Sequence, residues 1–215
     1  MLAPPPGESH MERVAVLDFE TTGLSPGMGD RPTEVAIALV EQGRIVERFQ
    51  SLMNPGRPIP AFVTQLTGIS NAMVAAAPPV AEVMREAARF VGALPVVAHN
   101  ASFDRKFWVA ELQRLSLPAE ASFACTMLLS RRLYPDCASH KLGALIQTLG
   151  LPQTGRAHRA MVDTEMAAHL WCRIRDDVAR RWRLTAVSHA LLARAQATPK
   201  GKLERFFAEQ QACEA

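Results

Sequence analysis

Eight residues, Arg13-Val-Ala-Val-Leu-Asp-Phe-Glu20, constrain the fold of this chain more than any other segment. An apolar run of this length reads as a buried strand, stopped by Thr21-Thr22-Gly23. It ends in alternating acids. Residues two apart on a strand project from the same face, so Asp18 and Glu20 stand side by side. In a buried strand each carboxylate would repel the other and lose solvation. A strand end already in solvent would carry them at little cost, so the pair alone leaves both readings open.

The rest of the chain reads as a meander followed by helices. Glu34 to Val40 is a second strand, Glu41-Gln-Gly43 a turn, and Arg44 to Leu52 a third strand in hairpin with the second. Asn54 to Pro60 holds three prolines and must be irregular. Pro79 to Val91 sets Val80, Val83, Met84, Ala87 and Val91 on one helical face. Leu94 to His99 is a short apolar strand, and Phe103 to Leu115 a helix. Residues 122–133 and 139–149 read as helical, the second closing at Gly150, and a helix is expected from Ala160 to about Arg175. A helix-rich tail follows. Strands in a meander, then helices and one later strand, give an α/β fold with a mixed sheet.

Two further acids sit where a core would place apolar residues. Asp104 aligns with Trp108, Leu112 and Leu115 and borders their stripe, although an acid in a first helical turn also favours the helix dipole by about 0.3–1 kcal/mol. Asp163 aligns with Met166, Ala167, Leu170 and Ile174, on the core-facing stripe of its helix. A core-facing acid needs a proton, a cation or several donors. His158, five positions earlier, would lie roughly 140° around a continuous helix, so it joins Asp163 only from a preceding loop. Four acids and one histidine make an oxygen-rich set suited to Mg²⁺ or Mn²⁺. Two such ions roughly 3.5–4 Å apart can clamp both oxygens of a phosphoryl displacement, and a histidine of ordinary pKa ≈ 6.5 can deprotonate an attacking water.

Other features narrow the class. Cys125, Cys137, Cys172 and Cys213 lie far apart with no C-x-x-C pair, which argues against a zinc knuckle or disulfide scaffold and fits a reducing compartment. The first eleven residues read as a leader without secretion features, and no apolar run approaches bilayer length, so a cytoplasmic location is expected. Net charge is +3, yet Arg173 to Arg205 carries nine basic and three acidic residues. A basic tail fits either nucleic-acid contact or a solvated helical surface. No phosphate-cradling G-x-x-x-x-G-K-[ST] or G-x-G-x-x-G element occurs. His99 and His140 read as core, loop or rim residues, His169 as solvent-side, and Trp171 and Trp182 as packing the tail.

Three segments together resemble the DEDDh (DnaQ-like) 3′→5′ exonuclease superfamily, which includes the epsilon subunit of bacterial DNA polymerase III, ribonuclease T and oligoribonuclease. They are Leu17-Asp-Phe-Glu-Thr-Thr-Gly-Leu24, Ala98-His-Asn-Ala-Ser-Phe-Asp104 and His158-Arg-Ala-Met-Val-Asp163. Asn54-Pro55 and Leu66-Thr-Gly-Ile69 look like the family's turn and substrate-contact loop.

The resemblance implies a ribonuclease H-like fold and two Mg²⁺ or Mn²⁺ ions, held by Asp18, Glu20 and Asp163 with Asp104 completing the site. His158 would activate the nucleophile. Main chain at Glu20, Thr21 and Thr22, with Leu66 and Asn100, would grip the 3′-terminal nucleotide. An exonuclease domain over residues 12–175 would precede a basic helical extension over 176–215. The substrate would be nucleic acid with a free 3′ end, single-stranded DNA ahead of RNA, with a polymerase or a second copy as partner through the extension. A silent binding module is the other class, though none of the five residues is missing. Phe19 stands where many relatives carry threonine, which the resemblance ties to altered stacking near the terminal base.

Overall fold

The computed structural model describes residues 12–153, 155 and 159–214. Five strands, β1 (Val14–Thr21), β2 (Pro32–Glu41), β3 (Arg44–Leu52), β4 (Val96–Ala98) and β5 (Phe123–Cys125), form one sheet in the order β3-β2-β1-β4-β5. The first three pair antiparallel; β4 and β5 add in parallel with β1, so the sheet is mixed as expected. Its helices are α1 (Ala61–Thr67), α2 (Asn71–Ala75), α3 (Val80–Val91), α4 (Ser102–Arg114), α5 (Thr126–Leu133), α6 (Leu142–Thr148), α7 (Ala160–Trp182), α8 (His189–Ala195) and α9 (Leu203–Glu214).

The period-two alternation of β1 divides the core. Ala15, Leu17 and Phe19 pack toward α3 and α4, with Val83, Met84, Phe107 and Trp108. Val14 and Val16 face the other way, toward α7 with Met166, Leu170, Trp171 and Ile174. The same alternation carries Asp18 and Glu20 to the α7 face. β2 is buried along nearly its whole length because it lies between β1 and β3 with helices over it.

Three expectations are corrected. Residues 122–133 are not one helix: Phe123–Cys125 is strand β5, which runs directly into α5. Three strand residues are too few to show a period, so the helical pattern behind them dominates the reading. Leu66-Thr67-Gly68-Ile69 is less a loop than the end of α1, closed by Gly68 in the left-handed conformation at φ 76°. The expected helix to Arg175 runs on to Trp182, because Val178 and Trp182 continue its buried stripe.

The segment after α7 shares this core. Leu191, Leu192, Leu203 and Phe207 join the α7-side cluster, and the Trp182 and Phe207 rings lie 4.2 Å apart. Trp171 is fully buried, so both tryptophans pack the tail as read from sequence. Gln196 reaches β5, where its amide donates to the carbonyl of Phe123 (3.0 Å) and accepts the N–H of Cys125 (2.6 Å). That side chain stands in for a missing neighbouring strand. No helix among the described residues is long and apolar enough to cross a membrane.

Candidate active site

Asp18, Glu20 and Asp163 converge. Each offers a carboxylate oxygen, and the three oxygens lie within 4.8 Å of one another. β1 supplies the first two from one face, and the first turn of α7, packed across that face, supplies the third. The residue types suit a hard divalent cation, since each ligand is a carboxylate oxygen.

Asp104 approaches differently. It sits in the first turn of α4, 1% exposed, and its Oδ1 accepts the backbone N–H of Phe19 at 3.2 Å. The last registered pair between β1 and β4 is Val16 with Val97, so beyond it that side of β1 has no strand partner. Asp104 takes the vacant bond, and its charge is felt at Asp18. It therefore stands behind the three-oxygen cluster.

Electrostatics register the crowding. Burial, then Asp104, Glu20 and Asp163, raise the proton affinity of Asp18 well above the ordinary carboxylate range. Burial, then Asp163 and Glu34, push Glu20 up to about 8, against a smaller opposing effect of Arg159. Burial pushes Asp104 up to about 7, partly countered by the N–H of Phe19. A cluster that resists ionising without a cation fits a divalent ion as its partner.

The strand exit is built tightly. Thr22 donates its N–H to the carbonyl of Arg31 (2.9 Å), and its hydroxyl accepts the N–H of Arg31 (3.1 Å). Asp30 accepts the N–H of Ser25 (3.0 Å) and pairs with Arg57 (3.5 Å). A Cβ on Gly23 would lie 2.4 Å from that Asp30 carboxylate, so any side chain there would displace Asp30 from these bonds. Thr21 gives its hydroxyl to the carbonyl of Gly23 (2.6 Å). Both threonine side chains and the Thr22 N–H are thus engaged within the turn.

Of the remaining candidates, Asn100 is exposed in the turn from β4 to α4 at φ 63°, a conformation asparagine tolerates. Leu66 projects from α1 and is 51% exposed. His158 lies outside the described residues. His99 is held by the Thr126 hydroxyl (2.9 Å) and the carbonyl of His140 (3.1 Å), and burial lowers its pKa to about 4. A carbonyl only accepts, so Nε2 carries the proton and Nδ1 takes the threonine hydroxyl. That is a core histidine, as read. His140 bonds the carbonyl of Tyr134 (3.0 Å), while His169 is half-buried rather than fully solvent-side.

The expectation for Phe19 is corrected. The ring is 3% exposed within the α3/α4-side core, on the sheet face opposite Asp18 and Glu20, so it cannot stack on a base at the site. The sequence reading missed Glu34, 1% exposed on β2 and registered opposite Glu20, together with its partner Arg159. The only signal was an acid heading the apolar run Glu34 to Val40.

The family model for exonucleases of the RNase_T type matches residues 15–171. The chain belongs to that family, within the DEDDh (DnaQ-like) exonuclease superfamily. The domain is 38% identical over 165 residues to the 3′-5′ exonuclease DinG of Bacillus subtilis, covering 76% of this chain and 18% of that protein. It is 41% identical over 167 residues to a DNA polymerase III subunit epsilon-like protein of Rhodobacter capsulatus, covering 74% and 23%. The chain thus spans under a quarter of the length of these relatives. Exonuclease X, solved with 5′ overhanging duplex DNA, superposes with TM-score 0.67 at 30% identity over 85% of this chain and 99% of that one. E. coli Exonuclease I with a dT13 oligonucleotide gives TM-score 0.70 at 17% identity over 80% and 43%, a likeness of fold. The domain has the ribonuclease H-like architecture expected for it.

Proposed function

We propose that the domain is a metal-dependent 3′→5′ exonuclease that hydrolyses phosphodiester bonds of single-stranded DNA ends and releases nucleoside 5′-monophosphates. The convergence of Asp18, Glu20 and Asp163 from two elements within 4.8 Å carries this reading. Asp18, Glu20 and Asp163 would hold Mg²⁺ or Mn²⁺, two ions per site, with Asp104 completing the site. Bound there, the ions would supply charge stabilisation for the displacement. His158 takes the proton of the attacking water. Main chain at Glu20 to Thr22, with Leu66 and Asn100, positions the terminal nucleotide.

DNA is favoured because Exonuclease X, similar over nearly its whole length, was solved with DNA, and because full-length relatives carry DNA polymerase names. A polymerase is accordingly the partner class proposed for the C-terminal extension.

Purified protein is assayed on 5′-labelled single-stranded DNA and RNA with Mg²⁺ or Mn²⁺. A ladder that shortens from the 3′ end is expected, faster on DNA, and abolished by EDTA or Asp18→Ala. Full activity of Asp163→Ala would overturn the metal assignment, and faster decay of RNA would overturn the substrate.

A further inference from the structure

Glu34 places a fifth carboxylate beside Asp18, Glu20, Asp104 and Asp163, and it raises the proton affinity of both Asp18 and Glu20. Its bonds run to the start of α7 and to Gln50 on β3. Oε1 accepts Arg159 Nη2 (2.9 Å) and Gln50 Nε2 (2.9 Å). Oε2 accepts Arg159 Nε (3.3 Å) and the backbone N–H of Ala160 (3.2 Å). Ala160 opens α7, and Arg159, at the N-cap, makes no side-chain cap of its own. A strand residue therefore caps the helix from outside.

A second tether lies one turn on, where the Thr164 hydroxyl donates to the carbonyl of Ala36 on β2 (3.3 Å). Asp163 sits between these two anchors, its N–H bonded to the carbonyl of Arg159 (3.1 Å). Both the axial position and the rotation of the first turn are thereby fixed against the sheet that holds Asp18 and Glu20. Helix capping alone would be met by a neutral side chain, without a further charge beside the cluster. A glutamate paired with Arg159 adds a charge-assisted, two-pronged bond whose geometry is more exact.

We propose that Glu34 and Arg159 are a positioning pair that sets the Asp163 carboxylate at metal-binding distance from Asp18 and Glu20. The inference rests on the metal-site reading above. It makes Arg159, the sequence neighbour of His158, a fixed point at the start of α7.

The test is Mn²⁺ binding by calorimetry on the full chain, for wild type, Asp18→Ala, Glu34→Gln, Arg159→Gln, Arg159→Lys and the Glu34→Gln/Arg159→Gln double variant. Glu34→Gln and Arg159→Gln should each weaken Mn²⁺ binding about tenfold, the size of effect seen when a ligand's orienting partner is lost. They should lower kcat while leaving the oligonucleotide KM within about twofold, as loss of a positioning group does. Arg159→Lys should recover part of the loss, and the double variant should be no worse than the poorer single one. In metal-free protein, amide exchange over residues 160–166 should quicken in Glu34→Gln without change elsewhere. Wild-type Mn²⁺ affinity and kcat in folded Glu34→Gln would overturn the pair, and the same result in Arg159→Gln would overturn it should Glu34→Gln not fold. If Asp18→Ala binds Mn²⁺ like wild type, the metal-site reading fails, and the pair with it.

Discussion

Asp104 closes the open side of β1 by accepting the N–H of Phe19, the residue between Asp18 and Glu20. One carboxylate thus serves as a hydrogen-bond acceptor for the strand and as a charge behind the Asp18, Glu20 and Asp163 cluster. The two roles separate by substitution. Asp104→Asn keeps an acceptor and removes a charge that disfavours ionised Asp18, so in EDTA it should melt at or above wild type. Asp104→Ala leaves a buried N–H unsatisfied and should cost about 1–3 kcal/mol. Both should lower the exonuclease rate roughly 100-fold or more. Thermal melts beside rate measurements check this; Asp104→Asn with full activity would reduce Asp104 to a strand cap.

The raised proton affinities fix the sign of a pH effect. In the unfolded chain these acids titrate near ~4. The fold holds Glu20 protonated up to about 8 and Asp104 up to about 7. Between those limits the native state binds more protons than the unfolded state, so metal-free stability falls as pH rises. Melting temperature in EDTA should therefore drop from pH 5.5 to 8, and saturating Mg²⁺ should raise it more at pH 8 than at 5.5. Glu20→Gln should flatten the slope. A melting temperature independent of pH, or an unaltered slope in Glu20→Gln, would refute the coupling.

What could be read from sequence was whatever a period reports. Asp18 and Glu20 declared a shared face because β1 alternates, and Asp163 declared itself by lying on the stripe of Met166, Leu170 and Ile174. β5 stayed hidden because three residues carry no period before α5 begins. α1 stayed hidden because only Val63 and Thr67 of its seven residues are buried. A family resemblance carries no information on the alternation that places Phe19 on the face opposite Asp18. Glu34 and Arg159 meet across 125 positions, a separation over which local pattern says nothing.

Phe19 gives a direct check of that correction. With 3% exposure in the α3/α4-side core, Phe19→Thr removes a buried ring and leaves a cavity. A loss of about 3 kcal/mol or more is expected by denaturant unfolding, with the oligonucleotide KM unchanged at a temperature where the variant is folded. Unchanged stability with altered KM would restore the stacking role.

Gln196 protects the outer edge of β5 by engaging both Cys125 N–H and Phe123 C=O. Gln196→Ala leaves both groups bare and should cost about 1–3 kcal/mol. An uncovered edge also templates pairing with another chain. Lower melting temperature together with concentration-dependent association by light scattering is expected; a monomer of unchanged stability would show that the bonds are incidental.

The same contacts decide whether the residues after α7 can be treated as separable. Phe207 is fully buried, its ring lies 4.2 Å from that of Trp182, and it belongs to the cluster that holds Trp171 and Ile174 of α7. Trp182 also donates its indole N–H to Glu204 (2.8 Å), and Arg132 bonds the carbonyl of Thr198 (2.8 Å). Phe207→Ala should cost about 3–5 kcal/mol, and a chain ended after Arg183 should lose its cooperative melt and bind hydrophobic dye. Loss of Gln196 in that truncation compounds the exposed core with an uncovered sheet edge. An extension acting only as a docking arm would instead leave a truncated domain with the wild-type melting temperature and full activity on free oligonucleotides.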